Sequence, residues 1–437
     1  MKARLIGGVR GKVRRGFASE ITWTLLVERF LHYDLNGVDD RSWDFVPRPR
    51  RSLRFVVWVS SLRERVCTTL VRDPQSAKSV SPAIGASTLD APKFLGGLLM
   101  DPEANWKQLI NVYSEEGIAL ALGAGVSVKS KLPAWDELLR RIAKKCLKEN
   151  EHQLVDVLIS EGFSLPSIAG ILEGQCPDRK FVDLLRDALY DDFKKFYRIP
   201  SVEDDPGFVD FIKATNLTLC AVAALCAIKT AKGKYERNPS IHAIANTNFD
   251  AILRVYSRYR HHRHVMHTID RPSAGAVPGA INVYHLHGFF QFEKKYIGNP
   301  EKEAPDIRVF TEHEFFDFFN QPNSRFSYTF LHVLREFSTL FIGMSLKDDN
   351  IRRLLHYSRK ETIESYIKEN RPAEAEDKAL RHYAFQQHSK SQDVDRFVEA
   401  SLLRLGVRPL WVDKFDEIPT KLQELYESKG AAWSDVY

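Results

Sequence analysis

The clearest pattern in the chain is an apolar run, Ile118 to Leu122, that stops at Gly123-Ala124-Gly125-Val126-Ser127. A short unbroken apolar stretch closed by glycine has the length and composition of a buried strand. After a polar connection, Trp135, Leu138, Leu139, Ile142, Cys146 and Leu147 recur at helical spacing, which predicts an amphipathic helix from Ala134. Another helix is predicted just before the strand, over Asn105 to Ser114. Further strands are expected at Ile241 to Asn246, His264 to Ile269, Asn282 to Leu286, Ser338 to Met344, Arg381 to Phe385 and Val407 to Val412. Helices are expected from about Asp250, from Asp349, and between the last two strands. Strands alternating with helices predict an α/β fold, a Rossmann-like doubly wound parallel sheet with ligands at the carboxyl ends of its strands.

Two stretches break this rhythm. Residues 150–235 carry helical patterns at Leu154 to Ile159, Ile168 to Leu172, Phe181 to Leu189 and Phe208 to Ile212, with few strand signals. They predict a helical insertion or cap on the sheet. Residues 1–99 have no clear period: a basic start from Lys2 to Arg15, RPRRSLR at 48–54, then a Ser-, Ala- and Pro-rich run from Pro74 to Pro92. They are expected to be a low-order extension and linker ahead of a domain spanning 100–437, in preference to a basic tail for nucleic acid, membrane surface or targeting.

Charge sharpens that division. The net charge of +6 arises in residues 1–99, which hold 17 Lys and Arg against 9 Asp and Glu; the rest holds 46 against 48. The main body therefore offers no nucleic-acid groove, and any such contact is expected only through the basic N-terminal segment. No apolar run reaches the roughly 18 residues of a membrane span. Cys67, Cys146, Cys176, Cys220 and Cys226 are odd in number, scattered and without CxxC, so neither a disulfide framework nor a four-cysteine zinc site is expected. Their usage predicts a reducing, cytoplasmic setting.

Candidate chemistry sits just past four of the expected strands: Gly123 to Ser127, Asn246-Thr247-Asn248-Phe249-Asp250, His285-Leu286-His287-Gly288, and Gly343-Met344-Ser345 with Asp348. Each alone has an ordinary structural use, such as capping the next helix. Together they occupy corresponding strand ends, where an open α/β sheet builds its crevice. Two other histidine groups carry less. His261, His262, His264 and His267 match no metal spacing, so no metal site is expected, and His313 with Glu312 and Glu314 reads as an exposed first helical turn. His285 reads equally as support for His287 on the same strand face or as a buried histidine bonded to backbone.

As an ordered set these segments resemble the sirtuin superfamily, whose members carry GAG[IV]S, TQN-I-D, HG and G-[TS]-S in that order. The chain has GAGVS, NTNFD, LHG and GMS. Pro133, Trp135, Leu138 and Leu139 as P-x-W-x-x-L-L, and FIGMSLKDDNIRRLL at 341–355, resemble the sirtuin-like branch of prokaryotic defence proteins. That branch usually has glycine where this chain has Lys131. The resemblance covers roughly residues 105–415. Protein-deacetylating sirtuins add a zinc ribbon of two Cys pairs after the HG, whereas no cysteine here follows Cys226, and Pro-Ala-Trp-Asp stands where they have Pro-Asp-Phe-Arg. Both differences point away from deacetylation and leave NAD+ binding as the expectation.

The resemblance implies that Gly123, Ala124, Gly125 and Ser127 hold the diphosphate of NAD+, with Thr247 as a further contact; Trp135 reads by its position either as a wall of the pocket or as core. It implies catalytic roles for Asn248, Asp250 and His287, and adenosine-side contacts from Gly343, Ser345 and Asp348. The implied function is NAD+ hydrolysis to nicotinamide and ADP-ribose without zinc, in a regulated NAD-depleting effector of anti-phage defence. Control is expected through homo-oligomerisation, a regulatory partner protein or the N-terminal segment. The alternatives are an NAD or ADP-ribose sensor without turnover, and a zinc-free deacylase or ADP-ribosyltransferase.

Overall fold

The computed structural model describes residues 101–437 except 177–180, 197–205, 262–264, 271–273, 292–308 and 321–324. The expectations for residues 1–99, and for His262 and His264, lie outside the described residues. In chain order the strands are β1 (Ile118–Leu122), β2 (Ala227–Lys229), β3 (Tyr235–Arg237), β4 (Ile241–Asn246), β5 (Met266–Ile269), β6 (Ile281–His285), β7 (Thr339–Ile342), β8 (His382–Gln387) and β9 (Val407–Val412). Seven form one parallel sheet in the order β5-β6-β4-β1-β7-β8-β9, and β2 pairs with β3 in a small antiparallel hairpin. From β1 the chain passes to β4 on one side and returns to β7 on the other. This places β1 at the topological switch, where open α/β sheets bind ligands.

The helices before β2 are α1 (Pro102–Glu115), α2 (Trp135–Cys146), α3 (Leu154–Ser160), α4 (Leu165–Gly174), α5 (Phe181–Phe196), α6 (Pro206–Thr215) and α7 (Leu217–Leu225). Those after β4 are α8 (Ile252–His261), α9 (Glu312–Asn320), α10 (Arg325–Glu336), α11 (Asp349–Lys368), α12 (Pro372–Ala379), α13 (Gln392–Leu403) and α14 (Ile418–Glu427). Local chemistry starts and stops them. Asp101 caps α1 by accepting from Glu103 N at 3.0 Å, with Pro102 at the first helical position. In α2, Asp136 and Glu137 lie in the first turn and Lys144 and Lys145 in the last, matching the helix dipole.

The sheet is covered on both faces, as a doubly wound fold requires. Leu120, Leu122 and Ile244 pack into one core with α1, α2, α7 and α14. Ala121, Ala245 and Ala384 face the other side, where α10, α11 and α13 approach through Phe330, Leu354 and Leu402. Alternate residues of a strand point to opposite faces, so large side chains serve one layer and alanines let helices close on the other.

Past its exposed first residue, Leu217, helix α7 (LTLCAVAAL) is buried all round. It therefore has no amphipathic period, and it escapes a reading based on periodicity. Asn216 starts it, accepting from Leu219 N, and its side-chain N–H groups reach Val126 O and Ser130 Oγ, each at 2.8 Å. This buried helix thus anchors the turns that follow β1. Among the described residues no single helix is long and apolar enough to cross a membrane. The α6–α7 region passes such a test only as two segments bent by 112°.

One expectation about the cysteines is corrected. Cys146, at the end of α2, and Cys176, just past α4, form a disulfide. The two are 30 residues apart, and only the packing of α2 on α4 brings their Cα atoms to 5.5 Å. Scatter along the sequence concealed the pair. Closing a loop of that length removes about 3.5 kcal/mol of unfolded-chain entropy in the simplest treatment. Cys220 and Cys226 are free and buried.

Candidate active site

The carboxyl ends of four adjacent strands are brought level by register. Leu122 of β1 pairs with Asn246 of β4 and Ile342 of β7, and Asn246 pairs with His285 of β6. The loops beyond these ends enclose a cleft of about 360 Å³, within the range of small-ligand sites. Gly123, Ala124 and Ser127 come from the β1 loop, Thr247, Asn248 and Asp250 from the β4 loop, His287 from the β6 loop, and Gly343, Ser345 and Asp348 from the β7 loop. Trp135 completes the wall from the first position of α2. Gly125 alone among the expected site residues lies outside the lining.

The reason for that exception is packing. A Cβ on Gly125 would lie 2.8 Å from Gly343 Cα, and one on Gly123 would lie 2.5 Å from Gly343 O. The β1 and β7 loops touch backbone to backbone, and Gly125 N donates to Gly343 O at 3.0 Å. Gly125 and Gly343 therefore lack side chains first because the two loops need the space, and the N–H of Gly125 is already engaged. The expected passage from glycine turn straight into a helix is also modified. Two short 3-10 turns, Ala124–Val126 and Val128–Ser130, precede α2.

The second turn ends at Lys131, which has φ 67° and ψ 22°. Glycine adopts that left-handed conformation freely, whereas lysine is strained in it. Lys131→Gly is accordingly expected to raise stability by about 0.5–1 kcal/mol, relief of strain outweighing the added freedom of the unfolded chain. Urea unfolding of the two proteins side by side checks this, and a lower midpoint for the glycine variant would contradict it.

Within the cleft the polar groups hold one another. Asn248 Nδ2 donates to Gly123 O at 2.9 Å and to Ser127 Oγ at 3.3 Å. With both amide hydrogens directed at the β1 loop, Oδ1 is the atom left to accept from a ligand hydroxyl or water. The Ser127 hydroxyl also bonds the Asp250 carboxyl, which accepts further from the N–H of Ile252 at 3.0 Å and from its own backbone N–H. Burial raises the pKa of Asp250 despite these bonds. Ser127 is thus committed to the Asn248–Asp250 cluster. Thr247 ties the β4 loop to β1, its Oγ1 donating to Leu122 O at 3.0 Å.

His287 lies under Phe249 and Phe315, with ring centroids 6.4 and 5.6 Å away. Burial lowers its pKa, and the Asp348 carboxylate opposes that shift. The net direction is downward, so the imidazole is neutral near pH 7. Asp348 itself caps α11, its Oδ1 accepting from Asn350 N at 2.8 Å and Ile351 N at 3.2 Å.

The structure separates the two histidines of the His285-Leu286-His287-Gly288 segment. Strand β6 ends at His285, the chain turns at Leu286, and only His287 reaches the cleft. His285 is buried behind the β4 loop with Nδ1 3.2 Å from Asn248 O. Burial pushes its pKa down to about 3, so it is a neutral ring donating to that carbonyl. It supports the Asn248 loop by a backbone bond, and the two readings of it converge. Elsewhere His261 bonds Val436 O, His267 bonds Gly275 O, and His313 is exposed in the first turn of α9.

Two contributors gave little sign in the sequence. Phe315, on α9, packs edge-on against Trp135 at 5.9 Å and covers His287. Glu314 Oε2 accepts from Phe310 N and Thr311 N, a capping pattern that marks the start of a helix but not the direction its next residue faces. Leu189 brings α5 of the helical region into the same wall.

Fold and cleft together define an α/β protein of Rossmann-like architecture with a polar pocket over the carboxyl ends of its central strands. Residues 242–405 match the family model of the SIR2-like domain. The match supports assigning the chain to the sirtuin, or SIR2, superfamily, and it is consistent with an NAD-related function. A search of curated proteins finds no match. The matched span holds Asn248, Asp250, His287, Gly343, Ser345 and Asp348, while the GAGVS segment lies before it and joins them through the pairing of β1 with β4 and β7.

Proposed function

We propose that this protein hydrolyses NAD+ to nicotinamide and ADP-ribose. The observation that carries the reading is the convergence of Asn248, Asp250 and neutral His287 with the Gly123–Ser127 turn around one cleft of a SIR2-like domain. In the reaction the bond from ribose C1′ to the pyridinium nitrogen breaks, and its electron pair leaves with nicotinamide, which becomes neutral. Positive charge develops on the sugar, and a water oxygen bonds to C1′. That water must lose a proton, which a neutral imidazole near pH 7 accepts. His287 fits this role. Asn248 Oδ1 and Asp250 are suited to holding the water and the sugar hydroxyls, while the cleft's aromatic wall of Trp135, Phe249 and Phe315 excludes bulk solvent.

For the diphosphate the candidates are the Ala124 backbone N–H and the first turn of α2, which has no side-chain cap. Water is the favoured acceptor because the sequence has no cysteine pairs after His287 to build the ribbon of a peptide deacetylase. We further read the protein as an NAD-depleting defence effector held in check by self-association or a partner, in line with the branch its motifs resemble.

The test is incubation of purified protein with NAD+ and chromatography of the products. Equimolar nicotinamide and ADP-ribose are expected. Thermal stabilisation by NAD+ with neither product would favour a sensor instead, and turnover that requires an acylated peptide would favour a deacylase.

A further inference from the structure

We propose that Tyr190, on α5, is a positioning residue whose phenol oxygen holds the Asn248–Asp250 loop and the His287 loop at their working separation. The inference rests on the hydrolase reading above. Tyr190 is fully buried. Its hydroxyl donates to Phe290 O at 2.6 Å and accepts from Ala251 N at 2.9 Å. Ala251 directly follows Asp250, and Phe290 lies three residues past His287. The same loops meet once more through Phe290 N, which donates to Phe249 O at 2.7 Å. One oxygen from a helix outside the sheet thus bridges the two segments that carry the proposed catalytic groups.

The bridge stays intact at working pH. Burial, and next the Asp250 carboxyl, raise the phenol pKa well above its usual value, so the hydroxyl keeps the proton it donates. The ring is seated independently of the bridge, packing edge-on against Phe193 at 6.3 Å. Tyr190→Phe therefore removes the bridging oxygen and leaves the packing. Ala251 N–H and Phe290 C=O then lose their common partner; the bond from Phe290 N to Phe249 O still links the loops, but it does not hold Ala251 against Phe290. Displacement of reacting groups by about 1 Å costs rate on the order of a hundredfold.

A matched control exists in the same chain. Tyr113, on α1, is equally buried, and its hydroxyl accepts at 2.9 Å from Nδ2 of Asn238, a residue that belongs to neither of the two loops. Steady-state NAD+ hydrolysis is measured for the full chain, Tyr190→Phe and Tyr113→Phe, each checked by thermal melting. Tyr190→Phe is expected to lower kcat about ten- to hundredfold with KM within about threefold, and Tyr113→Phe to leave kcat within about twofold. Equal kcat in the two variants overturns the proposal. Should Tyr190→Phe fail to fold, 3,5-difluorotyrosine at position 190 keeps the hydroxyl but weakens it as an acceptor; kcat should still fall, and an unchanged kcat overturns the idea.

Amide hydrogen exchange separates this inference from the hydrolase reading. Exchange at 248–251 and 287–290 is expected to speed up in Tyr190→Phe and not in Tyr113→Phe, whether or not the wild type releases nicotinamide. Unchanged exchange in both loops removes the bridge, whereas absence of nicotinamide from the wild type removes only the hydrolase.

Discussion

Replacing His287 with alanine is expected to lower nicotinamide release by about two to four orders of magnitude in a protein that still folds. The size follows from the loss of the only histidine that lines the cleft among the described residues. Fold survival follows from its place beyond β6, where the backbone bond from Val309 N to His287 O does not depend on the side chain. Asn248→Ala should produce a comparable loss for a different reason. It deletes both the proposed ligand-facing oxygen and the bonds that tie the β4 loop to Gly123 and Ser127. Nicotinamide release that persists in both variants would rule out the assigned site, whatever the overall activity.

The pH profile gives the same assignment a second handle. His287 has its pKa lowered from 6.5 by burial and pulled partly back by Asp348. A base with a depressed pKa is unprotonated at and above the ordinary histidine value and loses function only as pH falls through the lowered one. The acid limb of kcat/KM is therefore expected below about pH 6.5. Asp348→Asn retains a side-chain oxygen to cap α11 but removes the charge that raises the His287 pKa, so that limb should move further down. A shift upward, or a limb unaffected by Asp348→Asn, would separate Asp348 from His287.

How much of this was legible in the residues depended on whether the signal was local. Strand β1 is an unbroken apolar run closed by glycine, β4 and β9 are mostly apolar around His242 and Arg408, and the ends of all three stand where the pattern predicts them. Strand β5, Met266–Ile269, lies inside the expected stretch and ends where the pattern predicts. The four polar clusters were readable because parallel sheets put binding loops at one end of every strand. What stayed hidden was non-local. Helix α7 has no polar face to create a period, and β2 and β3 have only three residues each. Phe315, Leu189 and Tyr190 act on the cleft from helices whose orientation is set by tertiary packing. Gly125 was legible as a residue that needs to be glycine, but the neighbour that demands it is the Gly343 backbone.

That contact carries the largest stability prediction. Gly343 has φ +66°, and a Cβ there would sit 2.6 Å from Val126 N and 2.9 Å from Gly125 Cα. Gly343→Ala thus combines a left-handed backbone strain of about 1–2 kcal/mol with a collision against main chain that no rotamer relieves. The expected total is about 3–5 kcal/mol, at the upper end of what single substitutions cost. Gly233, with φ +74° and nothing within 4 Å of the added carbon, isolates the first part. Gly233→Ala should cost only about 1 kcal/mol. Urea unfolding of both variants measures the difference, which belongs to the contact between the β1 and β7 loops. Because that contact also fixes the floor of the cleft, whatever Gly343→Ala protein remains folded should have lost turnover, while Gly233→Ala should keep it. Similar midpoints for the two variants would mean that the loops can part without cost, and that the glycines of GAGVS and GMS are held for some purpose other than each other.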